Sequence, residues 1–117
     1  QDLEKYMNPL MWNPWLVLLL AGLFEIGWPL GLKLGAINVA MRYVGPAIAV
    51  ACMAASGFFL WLSLKHIPMG TAYAVWTGIG SLGAFLVGVY VFGDTASLIR
   101  WAGIALVVSG IVCLKMG

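Results

Sequence analysis

Four apolar runs, each long enough to cross a bilayer, predict an all-α membrane protein with four transmembrane helices per chain. Composition, hydropathy and spacing carry that reading. Hydrophobic residues make up 63% of the chain and charged ones only 9%, too few polar side chains to coat a soluble domain of this length. The mean hydropathy is +1.02. Between the runs lie short segments bearing Pro, Gly, Lys, Arg and Asp, the residues that end helices. The whole of residues 13–117 reads as a single four-helix domain. Residues 1–12 read as an N-terminal extension or a non-native remnant, with Met7 or Met11 as alternative starts. No secretory signal fits, because the first apolar run carries an acid and no small-residue cleavage pattern follows it.

The first run, Trp15–Leu34, holds Glu25 near its centre. Twenty residues at about 1.5 Å each make roughly 30 Å of helix, the thickness of the hydrocarbon core. A charged side chain there costs about 2.5 kcal/mol or more, so an intramembrane acid marks an ion or substrate path rather than a decoration. Trp12 and Trp15 flank the run as interfacial aromatics, and Lys33 is long enough to snorkel. Pro29 cannot donate to the Glu25 carbonyl, so the helix is expected to bend or loosen beside the acid. The second run, about 44–64, is rich in small residues (Ala47, Ala49, Ala51, Ala54, Ala55, Ser56, Gly57), which let helices approach closely in lipid. Lys65-His66-Ile67-Pro68 reads as a loop, with His66 solvated.

The third run, about 70–92, places Tyr73 and Trp76 three residues apart and so on one face. Gly78 and Gly80 are expected to give it flexibility. In the fourth run, about 98–116, Gly103 and Gly110 are seven apart and share a face with Ser109, a helix-association pattern that suggests dimer packing. Asp94 reads as a loop or helix-start charge ahead of Arg100. Lys5, Lys65 and Lys115 fall on one side of the membrane and Lys33, Arg42 and Arg100 on the other. Equal counts specify no orientation, so insertion both ways, and an antiparallel homodimer, is open.

Several function classes drop out. A net charge of +2 is too small and scattered for nucleic acid. Cys52 and Cys113 lie within apolar runs as small hydrophobes, and no metal-ligand spacing appears. There is no nucleophile–base pair, and Gly78-Ile79-Gly80 lies in an apolar helix rather than after a strand, so neither an enzyme nor a cofactor is expected. What remains is cation chemistry. Two copies of the chain would bring two Glu25 carboxylates into one cavity, able to hold protons or a cation. Trp28, three residues from Glu25 on the same face, and the Tyr73–Trp76 pair offer ring faces to a delocalised cation, while a carboxylate accepts planar N–H forks. The hydroxyls of Ser56 and Tyr73 are placed to orient Glu25.

Ala21-Gly-Leu-Phe-Glu-Ile-Gly-Trp28, GTAYAVWTGIG at Gly70–Gly80 and SGIVCLK at Ser109–Lys115 resemble the small multidrug resistance family, and within it the guanidinium exporter subtype. The resemblance spans about residues 14–116. It implies a proton-coupled exporter of small cations that works as an antiparallel, dual-topology homodimer in a prokaryotic inner membrane. It further implies that Glu25 is the site shared by substrate and proton, that Trp28 and Trp76 line the pocket, that Tyr73 serves coupling and gating, and that Ser56 hydrogen-bonds the central glutamate. Three positions depart from the pattern: Pro29 follows the tryptophan, Gly27 adds slack beside it, and Asp94 stands in a loop that usually bears Glu. Slack at Gly27 and Pro29 would favour a broader exporter of quaternary ammonium and substituted guanidinium compounds. A non-transporting membrane assembly subunit, using the Gly103/Gly110 stripe for a foreign partner, is the reading from a different class.

Overall fold

A computed structural model describes residues 13–117; the expectations for residues 1–12, Trp12 and Lys5 among them, lie outside it. Four helices cross the length of the molecule: α1 (Pro14–Ile37), α2 (Val44–Ser63), α3 (Met69–Tyr90) and α4 (Leu98–Met116). Each is long and apolar enough to span a membrane. The helices begin and end within three residues of the apolar runs, the largest difference being the extension of α1 to Ile37.

Local chemistry explains most of the ends. The Asn13 side chain accepts from the Trp15 amide at 3.0 Å, and Pro14 occupies the first helical position, where a missing N–H costs nothing. α1 closes when the Asn38 amide bonds the Leu34 carbonyl at 3.0 Å, after which the Asn38 side chain accepts from Ala40 and starts a 3₁₀ turn over Val39–Met41. Pro46 falls in the first turn of α2, where proline is tolerated. Ser97 caps α4 through the Arg100 amide. Gly93, at φ +70°, turns the chain out of α3 in a backbone conformation that other residues rarely adopt.

The packing is uneven. α1 lies against both α2 and α3, and α2 and α3 scarcely touch each other. α4 packs mainly on α3, reaching α1 through Lys115, whose Nζ lies 5.1 Å from the Trp15 ring centroid. α1 and α2 meet backbone to backbone: a Cβ on Gly31 would stand 2.6 Å from the Gly45 carbonyl oxygen and 3.0 Å from the Ala49 nitrogen, and one on Gly45 would stand 2.7 Å from the Gly35 nitrogen. Small residues at a helix crossing supply the van der Waals contact that lipid cannot replace. Of the small residues in the second run, Ala49 and Ser56 are buried at this interface, while Ala47, Ala51, Ala54 and Gly57 are exposed. A second contact centre gathers Leu18, Ala72 and Val75 around Ile67, which folds inward from the α2–α3 connection. That connection is therefore a plug as well as a loop.

Glycines expected to loosen helices are contact points instead. α1 runs unbroken through Pro29 and α3 unbroken through Gly78 and Gly80. Proline removes a single intrahelical bond, and helices packed on either side of it keep the rest in register. A Cβ on Gly78 would stand 2.9 Å from Ile111 of α4. Gly27 gives no slack to a pocket, because Cys52 of α2 fills its open side, the Sγ 2.5 Å from where a Cβ would lie.

The Gly31–Gly45 crossing should be the most sensitive packing point in the bundle. Gly31→Val is expected to lower stability by about 1–3 kcal/mol through overpacking, read as a reduced thermal midpoint in detergent, whereas Gly57→Ala, whose Cβ would meet nothing within 4 Å, should leave it unchanged.

Candidate functional site

Hydroxyls in a bilayer must find acceptors within the protein. Ser63, Thr77, Ser81 and Ser109 find theirs on the preceding turn of their own helix, at 2.7–2.8 Å. Ser56 does not. Its Oγ donates across to the Ala21 carbonyl of α1 at 2.7 Å, lies 3.5 Å from Glu25 Oε2, and accepts the Trp76 indole N–H from α3 at 2.8 Å. One buried hydroxyl thus ties α1, α2 and α3 together at mid-membrane.

Glu25 is half-buried at the centre of α1. Its Oε1 accepts a hydrogen bond from the indole N–H of Trp28, three residues on. Trp28 gives the acid its N–H, a bond that the sequence reading, which assigned its ring face to a cation, did not include. Gly80 of α3 supplies the seat: a Cβ there would stand 2.6 Å from Glu25 Cγ. Even alanine at position 80 would push the acid away from α3. The carboxylate opens on a cavity of about 200 Å³ lined by Glu25, Pro29, Thr77, Gly80, Ser81 and Ala84. A carboxylate has roughly four lone-pair sites, and the two neighbouring donors leave room for a ligand that can donate N–H groups.

Four of the five residues singled out from the sequence meet in this cluster: Glu25, Trp28, Ser56 and Trp76. Tyr73 stands at its rim. Its ring lies 5.3 Å from that of Trp76, it is 57% exposed, and among the described residues no hydrogen bond joins its hydroxyl to Glu25. The orienting role expected of that hydroxyl passes to Trp28. Gly103 and Gly110 take no part, since a Cβ at either would meet nothing within 4 Å in the protomer. Thr77, Gly80 and Ser81 are additional lining residues. Their spacing with Ala84 (i, i+3, i+4, i+7) marks one helical face, the same face that carries Trp76 and Tyr73 one turn earlier. Among the described residues no group of His, Cys, Asp and Glu could hold a metal.

The class these features define is a multi-pass membrane protein that presents one intramembrane acid in a hydrogen-bonded, partly open cluster. The chain belongs to the small multidrug resistance family: the family described as "Small Multidrug Resistance protein" matches residues 13–107. It is 42% identical over 102 residues to a guanidinium exporter of Yersinia pseudotuberculosis serotype I, covering 87% of this chain and 96% of that one. It is equally similar to the guanidinium exporters of Escherichia coli K12 and Citrobacter freundii, covering 95% of each.

The hub position of Ser56 has a measurable consequence. Ser56→Ala leaves the half-buried Trp76 N–H without its acceptor, a loss of about 1–3 kcal/mol; a lowered thermal midpoint and a shifted indole emission should report it together.

Proposed function

We propose that this chain is a proton-coupled antiporter that exports guanidinium, with proton and cation competing for Glu25. The observation that carries the reading is the half-buried Glu25 carboxylate, held by Trp28 with the Ser56 hydroxyl at the edge of reach, on the wall of a cavity halfway along α1. An acid placed there does one of two things. Charged, it accepts the planar N–H fork of a guanidinium ion in the way carboxylates take arginine. Protonated, it is neutral and has nothing to offer the cation. Binding of one therefore accompanies release of the other. The guanidinium exporters that this chain matches along nearly their whole length support the choice of cation. Trp76 and Tyr73 form the aromatic wall beside the acid. The broader quaternary ammonium reading rested on slack at Gly27 and Pro29; Cys52 fills the space beside Gly27, and α1 continues through Pro29.

The working unit on this reading is an antiparallel homodimer in the inner membrane of a prokaryote, in lipid on all sides, with residues 13–117 as the transporter domain. Two features support it. The described cations are divided two against three between the ends of the bundle, Lys65 and Lys115 against Lys33, Arg42 and Arg100, so no strong orientation signal is present. α4 buries none of its residues in the protomer, and its Gly103 and Gly110 face open space.

Guanidinium binding in detergent should weaken as pH falls, because protonation removes the charge that holds the cation. Glu25→Gln, which keeps the shape and removes the charge, should abolish both binding and proton-coupled uptake into proteoliposomes. Wild-type protein that binds with no pH dependence refutes the exchange mechanism. For the dimer, Gly110→Leu fits the isolated protomer yet should block assembly, raising the dimer dissociation constant about tenfold or more (about 1.4 kcal/mol) when measured by single-molecule photobleaching in lipid.

A further inference from the structure

The Glu25 cavity does not end at Glu25. A second cavity, of about 260 Å³, adjoins it and includes Ile26, Pro29, Lys33, Ala84, Phe92 and Asp94 in its lining. Pro29 and Ala84 line both. On α1 the residues Glu25, Pro29 and Lys33 stand at i, i+4 and i+8, a single ridge, and the distance from the acid to Lys33 along the axis is roughly 12 Å. The two cavities therefore share a wall between α1 and α3 and lie in line from the middle of the bundle to the α3–α4 loop, a single groove on our reading.

The outer end of this groove is built with care. The Asp94 amide bonds the Gly88 carbonyl at 2.9 Å, after the left-handed turn at Gly93. The Asp94 carboxylate rests against Gly88, where a Cβ would collide with Oδ2. Lys33 lies in the same cavity but, among the described residues, forms no ion pair with Asp94; its Nζ stands over the Phe92 ring, 5.9 Å from the centroid. An exposed acid thus stands at the mouth, anchored through its backbone amide with its carboxylate oxygens uncommitted, and an exposed lysine lies over an aromatic face beside it.

We propose that this groove is the aqueous path by which cations reach Glu25, with Asp94 as the first carboxylate they meet and Lys33 as the positive charge that keeps them from staying. The inference rests on the reading of Glu25 as the cation site. A path must bind its ion well enough to admit it and weakly enough to pass it on. Asp94 alone would hold a guanidinium ion at the mouth. With Lys33 in the same cavity the mouth is neutral overall, so Asp94 attracts an arriving cation and the ammonium shortens its stay. Phe92 offers the incoming ion the ring face that Lys33 occupies at rest.

Cysteine labelling at Ala84, the residue common to both cavities, tests this. Ala84→Cys protein in lipid nanodiscs is treated with a small trimethylammonium thiosulfonate or its sulfonate counterpart, and modification at position 84 is read by mass spectrometry with Cys52 and Cys113 left in place. Labelling should occur and should favour the cationic reagent. Asp94→Asn should reduce that preference about threefold and Lys33→Gln should increase it by a similar factor, as expected for a unit charge acting over several ångströms. An absence of labelling at position 84, or a preference that neither variant moves, overturns the proposal. In proteoliposomes, Asp94→Asn should raise the KM for guanidinium uptake while the equilibrium affinity in detergent stays at the wild-type value. An affinity that falls with it would make Asp94 part of the binding site and overturn its role as a mouth. Wild-type protein that takes up no guanidinium refutes the reading of Glu25, and the labelling result still decides whether the groove is a charged aqueous path.

Discussion

The Ser56 hydroxyl has one proton and two oxygens within reach. The Ala21 carbonyl is nearer, at 2.7 Å, than Glu25 Oε2, at 3.5 Å, so the proton belongs to the backbone and the acid holds only a loose claim on it. The Trp76 indole closes the other side of the same oxygen. In lipid, where an unsatisfied polar group has no water to turn to, this arrangement sets the relative height of three helices. It also determines what Glu25 can receive. A carboxylate whose closest donor is its own helix's Trp28 is steadied without being saturated.

That steadiness depends on missing side chains as much as on hydrogen bonds. Gly80 lets α3 lie directly against the stem of Glu25, Gly22 takes the side chain of Ile79, and Gly83 takes that of Ile26. The same device joins α1 to α2 at Gly31, Gly35 and Gly45. Small-to-small contact brings backbones close enough for dispersion to act over a broad area, which is the main source of helix association once the hydrophobic effect is absent. α1 is consequently gripped on two sides around its acid. α4, which has no such grip on the site, is left with an open face.

The apolar runs alone reveal the four helices, because a bilayer imposes one length and one composition on every span. Glu25 stands out for the same reason: its cost in hydrocarbon makes it conspicuous. Ser56 and Trp76 are harder to link to it without knowing how α2 and α3 cross α1, and the family resemblance supplies Ser56 more surely than spacing does. Glycine is the least legible residue. Gly27, Gly78 and Gly80 all read as slack in a helix, yet each marks a neighbour's approach, and sequence cannot say whether the space beside a glycine is empty or taken. The orientation of an indole is hidden in the same way. Trp28 at i+3 from Glu25 offers a ring or an N–H, and only the rotamer decides between them.

Transport asks a binding site to let go. On the proposed reading, a guanidinium ion at Glu25 would compete with a donor that never leaves, the Trp28 N–H on one oxygen. The Ser56 hydroxyl, its proton given to the Ala21 carbonyl, stands at the edge of reach of the other. When the cation departs, the Trp28 N–H would still hold the carboxylate, so the empty charged site would be less costly than an acid bare in hydrocarbon. When a proton arrives, the neutral acid can still accept at one oxygen and gains a hydrogen to donate. On that reading each occupancy, cation, proton or neither, would have partners at hand within the same four side chains. No state is trapped by the loss of another, and a site with fewer fixed donors would bind the cation more tightly and release it more slowly.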